Sequence, residues 1–204
     1  TGKTSILQHA QVVKARFLAQ PDRHIFTFLD FQGLSDHTEI DIWISMLTAL
    51  AEQVARADLQ VEPVTRAIGL LQSGALVQPA LLKLFRTLAD NGMRVTLLFD
   101  EFESTAQRKN PVDLGFYRIL RNLAIDQGTR LSYVIATCHE LSEVERSIER
   151  QFTSFSSPLF NIFHQLVVTP FSEDEAQKMV SGLLQSVIRD PVTYSRFWVQ
   201  RELL

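Results

Sequence analysis

VTLLFDEFE, Val95 to Glu103, decides the reading of this chain. Five largely apolar residues are followed at once by Asp100 and Glu101. A strand buried on both faces reads as such a continuous apolar run, and its carboxyl end then delivers the two carboxylates to the edge of a sheet. The alternative reading is a strand that ends in solvated acids before a loop.

Outward from this stretch, apolar residues at spacings of three and four alternate with short β-rich runs, the pattern of helices crossing over a mostly parallel sheet. Upstream, Ile6, Ala10, Val13 and Phe17 share one face of a predicted helix from Thr4 to Gln20, ended by Pro21-Asp22. HIFTFLDF, His24 to Phe31, reads as a buried strand. Glu39 to Ala57 is a predicted helix with a wide apolar face of Ile42, Ile44, Met46, Leu47, Leu50 and Val54. Residues 58–78 suggest a short helix plus loop. Pro79 suits the first turn of a helix carrying Leu81, Leu84, Phe85 and Leu88, with Asn91-Gly92 as its stop.

Downstream, polar residues 104–110 read as a loop and Asn110-Pro111 as an N-cap and first helical position, before Phe116, Ile119, Leu120 and Leu123. LSYVIA, Leu131 to Ala136, is a further strand, then a helix carries Leu141, Val144 and Ile148. HQLVVTP, His164 to Pro170, reads as one more strand. Ser172 and Glu175 form a capping-box signature for a helix through Met179, Val180, Leu183 and Val187.

At the amino end TGKT, Thr1 to Thr4, matches the close of GxxxxGK[ST], a loop whose backbone N–H groups wrap phosphates. Lys3 supplies a mobile point charge for the β and γ phosphates, and the Thr4 hydroxyl completes a Mg²⁺ shell. The amphipathic helix that follows turns its positive dipole end toward the anion. The first residue is threonine, so the chain reads as cut inside this loop.

Composition sets the remaining bounds. The chain has 204 residues, enough for one sizeable core or one core plus a small appendage. Its net charge of −3, with both signs interspersed, argues against a broad basic face for nucleic acid. A single cysteine, Cys138, excludes an internal disulfide framework and any multi-cysteine metal site, and fits a reducing cytoplasm. No apolar run is long enough to span a bilayer, so no membrane role is expected. Cys138 beside His139 invites a nucleophilic pair. Neighbours on an extended chain point to opposite faces, so Cys138 is expected instead as a small buried residue.

In the order TGKTSIL, FLDFQGLSD, VTLLFDEFE, LSYVIATC and FHQLVVTPFSEDEAQKMV, nearly the whole chain resembles the STAND branch of the AAA+ P-loop NTPases and their archaeal and origin-recognition relatives. The resemblance implies an α/β fold of three layers, α/β/α, on a mostly parallel sheet ordered 5-1-4-3-2, with the first family strand absent from this fragment. It implies a nucleotide-binding core over residues 1–170 and the beginning of a helical lid over 171–204. ATP and Mg²⁺ are the implied cofactors. Gly2, Lys3, Thr4 and Ser5 would hold the nucleotide, Thr4 and Asp100 the Mg²⁺, and Glu101 the attacking water. Thr137 would be the polar sensor, although ATCHE departs from the arginine many STAND members carry nearby. Arg150 would be an arginine acting in trans, or else a solvated charge beside Arg146 and Glu149. Asp30 is read as structural, and Phe152, Phe155, Phe160 and Phe163 as core or interface, since no basic residues interleave them.

The leading expectation is a switch within a larger multidomain protein that binds ATP and hydrolyses it slowly, with a lid beginning at Pro170-Phe171-Ser172. Protein partners or self-association through the same domain are expected. Two alternatives remain open: a scaffold that binds nucleotide without hydrolysing it, and a DNA-associated AAA+ ATPase whose nucleic-acid contacts come from other domains.

Overall fold

A computed structural model describes residues 2–13, 16, 18–34, 36–107, 112–150 and 159–187. Two compact units divide the chain, Thr1–Gln165 and Leu166–Leu204.

The first unit is α/β, and its sheet has three parallel strands in the order β1-β2-β3. These are β1 (His24–Asp30), β2 (Arg94–Asp100) and β3 (Leu131–Ile135). Six α-helices of this unit are α1 (Gly2–Val13), α2 (Glu39–Arg56), α3 (Glu62–Gln72), α4 (Val77–Asp90), α5 (Ser104–Gln107) and α6 (Leu114–Ile125); α7 (Leu141–Glu149) is the seventh. In register, Ile25 lies opposite Val95 and Asp30 opposite Asp100, while Phe99 lies opposite Ile135. Three parallel strands in this order are compatible with the α/β class that the sequence resemblance implies.

β2 is the central strand, and from Val95 to Asp100 every residue is buried. Alternation sorts its two faces. Val95, Leu97 and Phe99 join Ile25 and Leu29 in the large core, shared with Trp43, Leu47 and Leu50 of α2 and Leu81 and Phe85 of α4. Leu98 and Phe26 face the other way, against Leu7 of α1. Helices therefore cover both faces, which is why the strands read as unbroken apolar runs. Burying each large side chain contributes about 1.5–3 kcal/mol.

Local chemistry sets the boundaries. Thr38 caps α2 in a reciprocal box with Asp41, its hydroxyl accepting from Asp41 N at 3.3 Å while the Asp41 carboxylate accepts from Thr38 N at 3.0 Å. α4 stops at Asn91, and Gly92 follows at φ +80, a conformation that glycine adopts without a Cβ clash.

Several expectations need correction. On α1 the buried residue is Leu7, and Ile6 is exposed, because a step of one residue turns the side chain about 100° around the helix. Phe17 lies outside the described residues. β2 ends at Asp100 rather than Glu103, and part of the expected loop, Ser104–Gln107, is helical. Asn110 and Pro111 lie outside the described residues; Asp113 caps α6, accepting from Phe116 N at 3.2 Å. Residues 58–78 agree with the expected short helix plus loop, holding the eleven-residue α3 between irregular and turn residues.

His164 to Pro170 is not a strand: the segment is irregular, with Leu166 and Val167 exposed. An extended apolar run becomes a strand only when a neighbour satisfies its N–H and C=O groups, and among the described residues none does.

In the second unit, α8 (Glu173–Val187) opens with the expected box. Ser172 N donates to Glu175 Oε2 at 2.8 Å, and Glu175 N donates to Ser172 Oγ at 3.3 Å. No helix among the described residues is long and apolar enough to cross a membrane.

Candidate functional site

The carboxyl edge of the sheet is where β2 hands over to a tight turn. Asp100 closes the ladder, its carbonyl accepting from Phe31 N at 3.0 Å. On the other side Ala136 N donates to Phe99 O at 2.8 Å, and Phe102 N to Ala136 O at 3.2 Å. Between these bonds Glu101 adopts φ +51, the left-handed region. The reversal lets Glu101 O accept from Ser104 N at 2.9 Å and start α5, and it drives the Phe102 ring into the core beside Phe31, Tyr117 and Phe160.

Three acids follow from that turn. Asp100 and Glu103 are 3% and 4% exposed, and Glu101 is half-buried. Glu103 Oε1 accepts from Cys138 N at 2.6 Å, while its Oε2 is buried without a hydrogen-bond partner among the described residues. The Cys138 thiol lies 3.6 Å from each oxygen of Glu101. One ligand atom each from Glu101, Glu103 and Cys138 lie within 4.8 Å of one another. Lost hydration, and then the Glu101 charge, push the Cys138 thiol above its ordinary range, with Lys3 pulling it the other way.

Lys3 reaches this edge from α1. Its ammonium donates to the Thr137 carbonyl, just past the end of β3. Packing of Leu7 on Phe26 and Leu98 sets the position of α1, and Gln11 Nε2 donates to Phe26 O at 3.2 Å. Lys3, Thr137, Cys138, Glu101 and Glu103 thus form one neighbourhood, with Asp100 adjacent to it in the chain.

The remaining expected residues are distributed as follows. Gly2, Thr4 and Ser5 occupy the first turn of α1 with Lys3, Thr4 half-buried and Ser5 exposed. The Thr137 hydroxyl donates to His139 O at 2.7 Å. Arg150 is exposed at the far end of α7, roughly 14 Å of helix rise from the loop that carries Thr137, and is not drawn into the cluster. Asp30 Oδ1 accepts from Gln32 N at 2.9 Å and shapes the turn after β1. Phe160 and Phe163 pack on the core; Phe152 and Phe155 lie outside the described residues.

Cys138 is exposed, contrary to the expectation of a buried residue, because the loop from β3 to α7 leaves the sheet at Ala136. It makes no pair with His139, whose Nδ1 lies 3.5 Å from Glu143. Sequence reasoning missed Glu103. Its spacing from Glu101 carried no usable signal, because the strand ends at Asp100 and the left-handed turn at Glu101 is what brings Glu103 to the edge.

No protein-family model matches the chain, and no curated protein does. Among solved structures the chain is similar to the Aeropyrum pernix ORC2 protein in its ADPNP-ADP complexes, at 14% identity and a TM-score of 0.44. The likeness covers 72% of this chain and 36% of that one, so this chain spans about a third of that protein. It is too loose to transfer residue roles.

Proposed function

We propose that this chain binds ATP with Mg²⁺ at the carboxyl edge of its sheet and hydrolyses it slowly, as the switch domain of a larger protein. One observation carries the reading: the Lys3 ammonium, from the first turn of α1, meets the Thr137 carbonyl beside Glu101 and Glu103. A cation on a helix start and a set of acids on a strand end, separated by about a hundred residues, converge on one spot.

The residues suit the implied ion. Mg²⁺ takes oxygen ligands; Asp100 offers a buried carboxylate at the end of β2, and the half-buried Thr4, next to Lys3 in α1, offers a hydroxyl. When bound, Mg²⁺ would neutralise phosphate charge. Lys3 then exchanges its carbonyl partner for phosphate oxygens, a stronger charge-assisted contact. Glu101, held by its left-handed backbone at the mouth of the edge, orients water, and Thr137 offers a hydroxyl one residue beyond β3. Gly2 and Ser5 complete the phosphate-facing turn. Arg150 is the candidate arginine supplied to a second copy, consistent with its exposure at the end of α7.

The test is nucleotide binding and phosphate release by the purified protein. Lys3→Ala should weaken binding about tenfold or more, the loss of one charged hydrogen bond. Glu101→Gln should keep binding and lose turnover. Equal turnover in Glu101→Gln and wild type would remove Glu101 from its role. Tight ADP binding without phosphate release would select a non-hydrolysing scaffold instead, and salt-dependent DNA binding a DNA-associated ATPase.

A further inference from the structure

We infer that Glu101, Glu103 and Cys138 form a binding site for a borderline-soft divalent cation of the zinc class. The three ligand atoms already lie within 4.8 Å of one another. With Zn–S near 2.3 Å and Zn–O near 2.1 Å, a tetrahedral site separates sulfur from oxygen by about 3.6 Å. The Cys138 sulfur stands 3.6 Å from the Glu101 oxygens. Glu103 is the independent indication of a ligand. It is 4% exposed, its Oε1 is tied to Cys138 N, and its buried Oε2 has no hydrogen-bond partner among the described residues. A buried carboxylate oxygen left unsatisfied is costly, and a cation held by the same carboxylate removes that cost.

The thiol decides which ion. Mg²⁺ and Ca²⁺ take oxygen ligands, whereas a thiolate selects zinc-like ions. This site is therefore distinct from the Mg²⁺ position assigned above to Thr4 and Asp100. On binding, the S–H proton leaves to solvent, the sulfur lone pair forms the metal bond, and a fourth position remains for water. Glu101 belongs to both sites, so an ion here withdraws it from water and slows turnover. That consequence rests on the ATPase reading, while the binding itself does not.

The experiment titrates metal-free purified protein with Cd²⁺, followed by competition with Zn²⁺. The chain has one cysteine, so the ultraviolet thiolate-to-cadmium band reports on Cys138 alone. The expected result is a band saturating near one equivalent, displaced by Zn²⁺ and insensitive to Mg²⁺. Cys138→Ser should abolish it, and Glu103→Gln and Glu101→Gln should each weaken binding by more than about tenfold. Wild-type affinity in both glutamine variants would reduce the site to a solitary thiol and overturn the proposal, as would the absence of a band. Cys138 is exposed and Glu101 half-buried, so their variants keep the test decisive even where Glu103→Gln misfolds. Phosphate release with and without Zn²⁺ separates the two readings. Metal binding by a protein without turnover sinks the ATPase assignment and leaves the site standing; turnover without metal binding does the reverse.

Discussion

Glu101 is a side chain placed at the candidate site by a backbone conformation that disfavours it. At φ +51 its Cβ crowds the following carbonyl, which costs an L-residue roughly 1–2 kcal/mol, a penalty glycine escapes. The informative comparison is Glu101→Gly against Glu101→Ala. Both remove the carboxylate, with its charge and its contact to Cys138, so their difference isolates the backbone. Glycine also has more unfolded-state freedom to lose, which offsets part of the gain, and we expect a net advantage of about 1 kcal/mol for Glu101→Gly. In a chain of 204 residues that amounts to roughly 2–4 °C in Tm. Urea and thermal denaturation, followed by far-ultraviolet circular dichroism, measure it. Asp58→Gly against Asp58→Ala is the control, since Asp58 has φ +56 in an exposed turn remote in sequence from the edge. If Glu101→Ala is as stable as Glu101→Gly while the control pair separates, the turn is unstrained and the cost assigned to φ +51 is refuted.

Phe102→Ala empties a fully buried site lined by Phe31, Phe99, Tyr117 and Phe160. It should cost about 3–5 kcal/mol, and a loss below about 1 kcal/mol in urea titration would show the ring is not packed as described. Ser172→Ala removes the hydroxyl that accepts from Glu175 N and should lower the stability of α8 by about 1 kcal/mol, read as helical ellipticity; an unchanged melting profile would contradict the capping box. Arg86, 2.6 Å from Asp126, holds that carboxyl below its ordinary range, first through their hydrogen bond. The stability this pair contributes is present above the unfolded carboxylate value and is lost as pH falls through the lowered one. Arg86→Ala should therefore flatten the acid limb of urea midpoints plotted against pH, and an identical limb in both proteins would count against the pair.

The legible parts of the fold were those where one signal has one structural outcome. β1 and β2 are buried on both faces, so their apolar runs lacked the alternation of a half-wet strand, and Asn91-Gly92 marked a stop that the positive φ of Gly92 explains. α3 was obscured by Gly69 within a short amphipathic stretch and by Pro63 near its start. Val167 and Val168 illustrate a different limit. A β-rich run states a preference, but a strand also needs a partner, which lies elsewhere in the chain or outside it. Cys138 was misjudged because residue type favours burial, whereas the path of the loop after Ala136 decides it.

The candidate site was half legible for a related reason. Asp100 and Glu101 stood out because an apolar strand ran into them, but Glu103 was given no role, since nothing in the sequence marks the turn that follows Asp100. The left-handed turn at Glu101 resolves the conflict: Phe102 goes inward while the acids on either side stay at the edge. That arrangement concentrates three carboxylates, two of them buried, on one stretch of backbone. Lys3 is the cation nearest at hand, yet it donates to a carbonyl and makes no ion pair among the described residues. Buried negative charge is tolerated where something positive compensates it. Among the described residues no cation forms an ion pair with these carboxylates, and both ions argued for above, Mg²⁺ with its nucleotide and a thiol-seeking cation on Glu101, Glu103 and Cys138, would bring positive charge to them. They meet at Glu101 in different ways: the thiol-seeking cation takes it as a ligand, whereas nucleotide binding does not need it and only turnover does, so an ion on Glu101, Glu103 and Cys138 is expected to slow hydrolysis without displacing nucleotide.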